Sequence, residues 1–338
     1  VYSIFLVRLN EEGAAGPVRN NNLWVADPAL VPGSGLRASL LRTAIIALVL
    51  SLSASVALGL VFELTSNTIT TAEDVEKKLG MPLLGYLPLL AGDITQAGLT
   101  FNEYIHNPES RFSEALRTLR TSISLSTLSN KGTQRLLVTS SQSSEGKTSV
   151  ALTLATAMGQ TSKVLLIDGD LRRPSLERIL NQSHHKSRGL SDVIAQSSTI
   201  EEATHHREDA LIDVMFAGST TLRPLELLSS REFSVLIDEL SKRYDAIVID
   251  SPPCIAVSDA YVLSTHADSV VYVTKYDQVA VPTIRTCINR FTSINASIVG
   301  IVVNQIDFEA AHYYGKYQDY YDYRGTSDET PEPEPAKA

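Results

Sequence analysis

The sequence predicts an α/β fold: a doubly wound, mainly parallel sheet, preceded by a single transmembrane helix and followed by a disordered, tyrosine-rich tail. Three observations carry this prediction. An uncharged apolar run ends at residue 62, short apolar runs alternate with helix-length segments over 111–308, and the composition shifts to Tyr, Gly, Asp and Pro after Asp307. Short apolar strands spaced by helical segments are typical of βαβ units, whose helices cover both faces of a parallel sheet.

The composition excludes several classes of protein. The chain has 338 residues, of which 43% are hydrophobic and 20% charged, so it is neither wholly disordered, nor collagen-like, nor a coiled-coil rod. Its net charge of −9 argues against a nucleic-acid-binding surface over the whole molecule, and we expect no nucleic acid partner. Two cysteines, Cys254 and Cys287, are too few for a disulfide framework or a multi-cysteine metal site.

The apolar run over Thr43–Phe62 has twenty residues and no charge. A helix of this length crosses a hydrocarbon core of roughly 30 Å. The alternative is a buried core helix of a soluble protein, but such helices are usually shorter and more polar on one side. We therefore predict a transmembrane helix over 43–62. Arg37 and Arg42 before it balance Lys77 and Lys78 after it, so charge does not set its orientation.

The helix divides the rest of the chain. Residues 1–42 are too few to fold alone, and 63–110 are expected to be a connector with a short helix near Ala72–Leu79 and breaks at Gly and Pro. Residues 111–308 form the predicted α/β domain, and 309–338 the tail. The apolar runs that predict strands are Leu136–Val138, Val164–Ile167, Asp213–Phe216, Ala246–Ile249, Ser269–Val273 and Ser297–Val303.

A phosphate loop is predicted where the first of these strands ends. The apolar strand runs into small residues, then Gly146-Lys147-Thr148, then a helix, so that backbone N–H groups and the helix N-terminus can face phosphates. Lys147 would reach the β and γ phosphates, and the Thr148 hydroxyl would bind Mg²⁺. Ser141 replaces the usual first glycine, and an accidental Gly-Lys-Thr is the alternative. The expected nucleotide-binding residues here are Ser143, Ser144, Glu145, Gly146, Lys147, Thr148 and Ser149.

Carboxylates follow two further strands. Asp168 and Asp170 come directly after Val164–Ile167, and Asp250 follows Ala246–Ile249. Ligands of doubly wound sheets lie beyond the carboxyl ends of the strands, so these acids are expected at the nucleotide. The alternative, an acid-rich turn, would explain Asp168 and Asp170, but not a further acid, Asp250, at the end of a second strand. The sequence therefore predicts a site for ATP and Mg²⁺.

The phosphate loop, Asp168-Gly-Asp170-Leu-Arg172 and Asp250-Ser-Pro-Pro253 resemble the motifs of bacterial tyrosine kinases, the BY-kinases, which are attached to polysaccharide co-polymerases. Asn22–Pro32 and the membrane helix resemble the end of a co-polymerase's extracytoplasmic part and its second membrane helix, and Thr71–Pro88 resembles the linker that follows. The chain is thus expected to be the C-terminal part of a longer protein. Gln142-Ser143-Ser144 departs from the Pro and Gly common in the family's loop.

The resemblance implies residue roles beyond the loop. Glu114, Arg117 and Arg120 match the family's Glu-x-x-Arg-x-x-Arg helix, which packs against a neighbouring subunit; a solvated helix face is the alternative. Asn304 would touch adenine or merely end a strand, and Arg172 would contact phosphate or an acid of a partner.

The tail carries six tyrosines within eleven residues, in neither a strand nor a helix period. Such a strip suits a tethered phosphate acceptor, although an aromatic interaction strip is the alternative. The expected acceptors are Tyr313, Tyr314, Tyr317, Tyr320, Tyr321 and Tyr323.

Together these features predict a tyrosine autokinase that phosphorylates its own tail between subunits. Asp168 would accept or orient the hydroxyl proton, Asp170 and Asp250 would hold the metal, and Lys147 would stabilise the transferring group. The resemblance further implies a homo-oligomeric ring in the bacterial inner membrane. Because ATP is cytosolic, the kinase domain and tail are expected to be cytoplasmic and residues 1–42 extracytoplasmic. It also implies as partners a polysaccharide polymerase and export machinery and a tyrosine phosphatase. The alternatives are a membrane-associated ATPase switch of the ParA or MinD type and a catalytically silent co-polymerase scaffold.

Overall fold

The computed structural model describes residue 7 and residues 40–65, 67–90, 96–127, 132–180 and 187–307. The expected co-polymerase remnant before residue 40, and the tail with its six tyrosines, lie outside the described residues. The chain divides into two compact units, Val1–Thr65 and Ser66–Ala338.

In the first unit the described backbone is one helix, α1, over Leu40–Thr65. Its segment Leu40–Gly59 has a mean hydropathy of 2.0 and is not buried, so it is long and apolar enough to cross a membrane. Serine hydroxyls inside the helix donate to carbonyl oxygens one turn back, as Ser55 does to Ser51 at 2.9 Å. These bonds satisfy polar groups that an apolar surrounding would otherwise leave unpaired.

The described part of the second unit is built on one sheet whose spatial order is β1-β8-β7-β2-β6-β3-β5-β4. Neighbouring strands are parallel except for β4 and β5, which are antiparallel. The mainly parallel sheet is confirmed, and each predicted strand is present. The strands are β1 Leu83–Pro88, β2 Gln134–Ser140, β3 Val164–Asp168, β4 Thr204–Arg207, β5 Ile212–Met215, β6 Ala246–Asp250, β7 Ser269–Lys275 and β8 Ile298–Ile306.

Helices connect these strands and cover both faces of the sheet. The described helices of this unit are α2 Ala72–Asp74 with the π-helical turn Val75–Leu79, α3 Gln96–His106, α4 Arg111–Ser126, α5 Lys147–Gly159, α6 Leu176–Leu180, α7 Leu190–Ile194, α8 Ile200–Ala203, α9 Pro224–Leu228, α10 Arg231–Leu240, α11 Asp259–Ser264 and α12 Val281–Ser293.

Alternate residues of each central strand enter different cores. Leu137 and Ile249 pack on the face covered by α10, α11 and α12, whereas Leu136 and Val248 pack on the face covered by α3, α4 and α5. Successive side chains of a strand point to opposite faces, so a strand covered on both sides must be apolar throughout. This explains why the central strands are continuous apolar runs rather than alternating ones.

The connector expected over 63–110 differs in the structure. Leu83–Pro88 forms the edge strand β1, which pairs in parallel with β8, about two hundred residues further along the chain. Before it, the Asn67 carbonyl accepts a hydrogen bond from the Val281 N–H at 2.7 Å. From residue 67 onward this segment is therefore part of the folded unit. Its apolar run is short and flanked by Gly and Pro, which conceals the strand in the sequence.

Replacing Leu87 by Ala should lower the free energy of unfolding by about 2–5 kcal/mol, because its side chain fills the core. Leu87 is 1% exposed, whereas its neighbour Leu89 is 42% exposed and provides the matched control. Leu89→Ala should change stability by less than about 0.5–1 kcal/mol. Denaturant unfolding measures both; equal small effects would mean that β1 is a detached linker.

Candidate nucleotide-binding site

Parallel pairing brings the predicted chemical groups to one edge of the sheet. Val138 of β2 is in register with Asp250 at the end of β6, and Asp250 is in register with Asp168 at the end of β3. The carboxyl ends of the three central strands therefore meet at one place. This is the edge where open α/β sheets bind ligands.

The loop that follows β2 leads directly into α5, which begins at Lys147, with Gly146 as its N-cap. Gly146 has a φ of 88°, and a Cβ there would overlap the Asn304 side-chain amide. Ser144 also lies in the left-handed region, with a φ of 69°. Ser143 and Ser144 are exposed at the tip of the loop, while Thr148 and Ser149 are buried in the first turn of α5. The loop thus presents its backbone next to the helix N-terminus, as phosphate binding requires.

Two buried polar side chains support this loop from within. The Asn304 amide donates to the Glu145 carbonyl at 3.0 Å. The Glu145 carboxylate accepts the N–H of Gln142 and is 2% exposed. Burial raises the pKa of Glu145 to about 7, and the hydrogen bond from Gln142 opposes this shift. Asn304 thereby holds the loop in place through the Glu145 carbonyl. It lies inside β8 rather than at the end of the strand, and its contact with adenine stays a prediction.

Asp168 is enclosed by backbone donors. One of its oxygens accepts the Asp170 N–H, and the other accepts the N–H groups of Ser175 and Leu176, each at 3.2 Å. Its side chain is fully buried. Burial raises the pKa of Asp168, and the nearby Asp250 charge raises it further. Asp168 is consequently a more basic carboxylate than an exposed one.

Asp250 and Asp170 face the residues that begin α5. The Thr148 hydroxyl donates to Asp250 Oδ2 at 2.7 Å, and Lys147 Nζ lies 4.0 Å from Asp170 Oδ2. Burial raises the pKa of Asp250, whereas the charge of Lys147 lowers it. Lys147, Thr148 and the three aspartates therefore form one cluster, as the sequence predicts.

The cluster has a donor set suitable for Mg²⁺. Asp250 Oδ1 is buried and has no hydrogen-bond partner within the described part of the chain, while Oδ2 is held by Thr148. Within that same part, no three His, Cys, Asp or Glu side chains form a metal site by themselves. Mg²⁺ is usually held by one or two protein oxygens, with water and phosphate oxygens completing the shell. The residues present fit that arrangement.

Two other predicted contacts have partners inside the chain. The Arg172 guanidinium donates to both oxygens of Asp259, at 2.7 and 3.0 Å, and Asp259 is fully buried. The sequence did not indicate Asp259, because nothing in its local pattern identifies a partner so far along the chain.

On α4, Glu114 pairs with Arg117 at 3.0 Å. Arg120 donates to the Ala157 carbonyl at the end of α5, at 2.8 Å. The three residues share a helix, as predicted, and two of them are half-exposed while Glu114 is exposed.

The site has the layout of a P-loop nucleotide-binding protein. A strand runs through a loop into a helix that begins with Lys and Thr, and carboxylates lie at the ends of the neighbouring strands. A family model described as an AAA domain matches residues 134–303, half of the chain. The Staphylococcus aureus protein named "Putative tyrosine-protein kinase CapB" is 31% identical to this chain. The match covers 62% of this chain and 93% of CapB. The chain belongs to the AAA-domain family and, within it, to the bacterial tyrosine kinases.

Two further likenesses agree with this family. The tyrosine-protein kinase Wzc of Salmonella typhi is 29% identical over 95% of this chain. The kinase domain of the Escherichia coli tyrosine kinase ETK superposes with a TM-score of 0.64 at 25% identity, covering 70% of this chain and 95% of that domain. The chain spans 45% of the length of Wzc, less than half. The family resemblance inferred from the motifs is confirmed.

Replacing Gly146 by Ala should weaken ATP binding about tenfold or more. A side chain in the left-handed region is strained by about 1–2 kcal/mol, and the new methyl group would displace the Asn304 amide that supports the loop. Binding of a fluorescent ATP analogue measures the loss.

Gly80→Ala is the matched control, since Gly80 has a φ of 66° but open space around it. It should reduce thermal stability and leave nucleotide affinity unchanged. Equal loss of affinity in both variants would contradict the proposed support of the loop.

Proposed function

We propose that this chain is an ATP-dependent protein-tyrosine autokinase that transfers the γ-phosphoryl group of ATP to tyrosines in the tail of another copy. The observation that carries the proposal is the convergence of Lys147, Thr148 and three aspartates at the carboxyl ends of β2, β3 and β6. The proposed acceptors are Tyr313, Tyr314, Tyr317, Tyr320, Tyr321 and Tyr323.

The chain's own residues divide the work of phosphoryl transfer. Lys147 would stabilise negative charge on the transferring group, because it is the first residue of α5, where the phosphates would bind. Asp168 accepts or orients the proton of the tyrosine hydroxyl, a role favoured by the raised pKa that burial gives it. Phosphoryl transfer relies mainly on positioning and electrostatics, and buried, pre-oriented groups supply both.

Thr148, Asp170 and Asp250 are the proposed holders of Mg²⁺, Thr148 through its hydroxyl and the acids directly or through water. When bound, Mg²⁺ neutralises phosphate charge and aligns the terminal phosphate for in-line attack. Asp250 Oδ1 supports this assignment, since it has no hydrogen-bond partner among the described residues and a buried carboxylate oxygen normally has one.

We further propose that the chain forms a homo-oligomeric ring at the bacterial inner membrane and regulates polysaccharide polymerisation and export. A helix of membrane-spanning length precedes the nucleotide-binding unit. ATP is cytosolic, so this unit and the tail would be cytoplasmic, with residues 1–42 on the opposite side. Polysaccharide polymerase and export machinery and a tyrosine phosphatase are the proposed partners.

Replacing Lys147 by Met should abolish phosphorylation of the tail in the presence of Mg²⁺ and ATP. The neutral side chain can no longer stabilise the transferring phosphoryl group. Mass measurement of the tail peptide detects phosphate additions. Lys163→Met is the matched control at the start of β3, where Lys163 lies over the ring of Tyr244, and it should retain phosphorylation.

Phosphate on the tail of the Lys147→Met protein alone would refute the proposed site. Mixing Lys147→Met with an active chain lacking residues 309–338 tests transfer between copies. Phosphate should then appear on the Lys147→Met tail. If the chain without substitutions releases free phosphate but its tail is not modified, an ATPase switch is favoured instead. If it yields neither free phosphate nor tail phosphate, a silent scaffold is favoured.

Replacing Arg117 and Arg120 together by Ala should reduce ring formation and tail phosphorylation while nucleotide binding persists. The two side chains hold positive charge on one face of α4, away from the phosphate loop. Light scattering gives the oligomer mass. Arg111→Ala, an exposed change at the start of the same helix, is the control. An unchanged oligomer mass in the double variant would contradict the interface.

A further inference from the structure

The ion pair between Arg172 and Asp259 joins the catalytic segment after β3 to the start of α11. Both carboxylate oxygens of Asp259 accept hydrogen bonds from the guanidinium. Asp259 is fully buried, while the Arg172 side chain is 40% exposed. A buried carboxylate with a bidentate arginine is a strong and directional contact. Because Arg172 follows Asp170 by two residues, this ion pair can affect the nucleotide site.

The segment between Asp168 and Leu176 is folded around its own acids. Asp168 accepts three backbone N–H groups, and Asp170 Oδ1 accepts the Arg173 N–H at 2.9 Å. These bonds are all internal to the segment. The Arg172–Asp259 contact connects it to α11, in addition to the Gly169 N–H bond to the Asp250 carbonyl at 2.8 Å and the Lys147–Asp170 pair.

Arg172 lies within the electrostatic reach of three acids, Asp259, Asp170 and Glu226. Its pKa is raised chiefly by the hydrogen bonds to Asp259, with smaller contributions from the charges of Asp170 and Glu226. Asp170 is also the acid nearest to the Lys147 ammonium, at 4.0 Å. If Asp259 lost its charge, Arg172 would be free to turn to Asp170 and occupy the carboxylate that faces the nucleotide.

We propose that Asp259 is a positioning residue that holds Arg172 away from Asp170 and so leaves Asp170 available to Mg²⁺ and Lys147. The inference rests on the magnesium-nucleotide site of the proposed function. It assigns Arg172 to the support of the site rather than to phosphate or to an acid of another subunit.

The test is the Mg²⁺ concentration that half-saturates binding of a fluorescent ATP analogue to the full chain. In Asp259→Asn the freed Arg172 competes with Mg²⁺ for Asp170. The half-saturating Mg²⁺ concentration should rise at least about fivefold, the lower limit that bulk-water screening sets for a cation ~4 Å from a carboxylate. In the double variant Arg172→Gln/Asp259→Asn the competitor is absent, and the value should return to within about twofold of the original.

This rescue distinguishes positioning from general damage, because a second substitution in a merely structural pair would not restore the Mg²⁺ requirement. The matched control is Asp268→Asn. Asp268 forms a similar bidentate pair with Arg135, at the opposite end of β2. The Asp268→Asn variant should be less stable, and its Mg²⁺ requirement should be unchanged.

Three results would overturn the proposal: no shift in Asp259→Asn, no recovery in the double variant, or an equal shift in Asp268→Asn. If Asp259→Asn does not fold, Arg172→Lys replaces it, since a lysine keeps the charge but not the two-pronged contact. A several-fold rise in its Mg²⁺ requirement supports the proposal, and no rise refutes it. Nucleotide binding needs no phosphoryl transfer, so an unphosphorylated tail would refute the kinase function and leave this result unaffected.

Discussion

Three carboxylates share a space almost closed to water, and the remaining architecture of the site follows from keeping them there. Asp168 and Asp250 are fully buried, and Asp170 is 5% exposed. Burial favours the protonated forms of Asp168 and Asp250, which would bind neither metal nor proton well. The chain opposes this with backbone N–H donors around Asp168, the Thr148 hydroxyl on Asp250 and the Lys147 ammonium beside Asp170. Mg²⁺ bound together with a nucleotide would add positive charge beside these carboxylates.

The loop that receives the phosphates is held in an unusual way. In the common pattern a glycine stands where this chain has Ser141, which is buried and exchanges a hydrogen bond with the Tyr272 hydroxyl at 2.6 Å. Glu145 and Asn304 add polar contacts from the interior. The loop therefore obtains its shape from side chains that anchor it to β7 and β8, where a glycine-rich loop obtains it from backbone freedom. Gly146 retains its glycine because the approach of Asn304 leaves no space for a Cβ.

Most of the sheet and the centre of the site could be predicted because their signals are local. Buried parallel strands are continuous apolar runs, and the acids follow two of these runs directly. Strand β1 was not predicted, because its pairing with β8 spans most of the domain and because Gly85 interrupts its apolar run and Pro88 ends it. Strand β4, Thr204–Arg207, is a polar edge strand, so it has no apolar pattern to detect. The pairing of Arg172 with Asp259 could not be predicted either, because an ion pair between distant residues produces no periodic pattern in the sequence.

The direction of β8 links the phosphate donor to its proposed acceptor. β8 is parallel to β7, and Asn304 near its end supports the phosphate loop, so β8 ends at the edge of the sheet that carries the candidate nucleotide site. The proposed acceptor tyrosines begin six residues beyond Asp307 and end sixteen beyond it. An antiparallel β8 would have released the tail at the opposite edge, about 30 Å away for a strand of nine residues. A tether that starts beside the site would keep the proposed acceptors at high local concentration around it. In a ring, the same tether would bring them to the site of a neighbouring copy, so one strand direction would serve both nucleotide binding and substrate delivery.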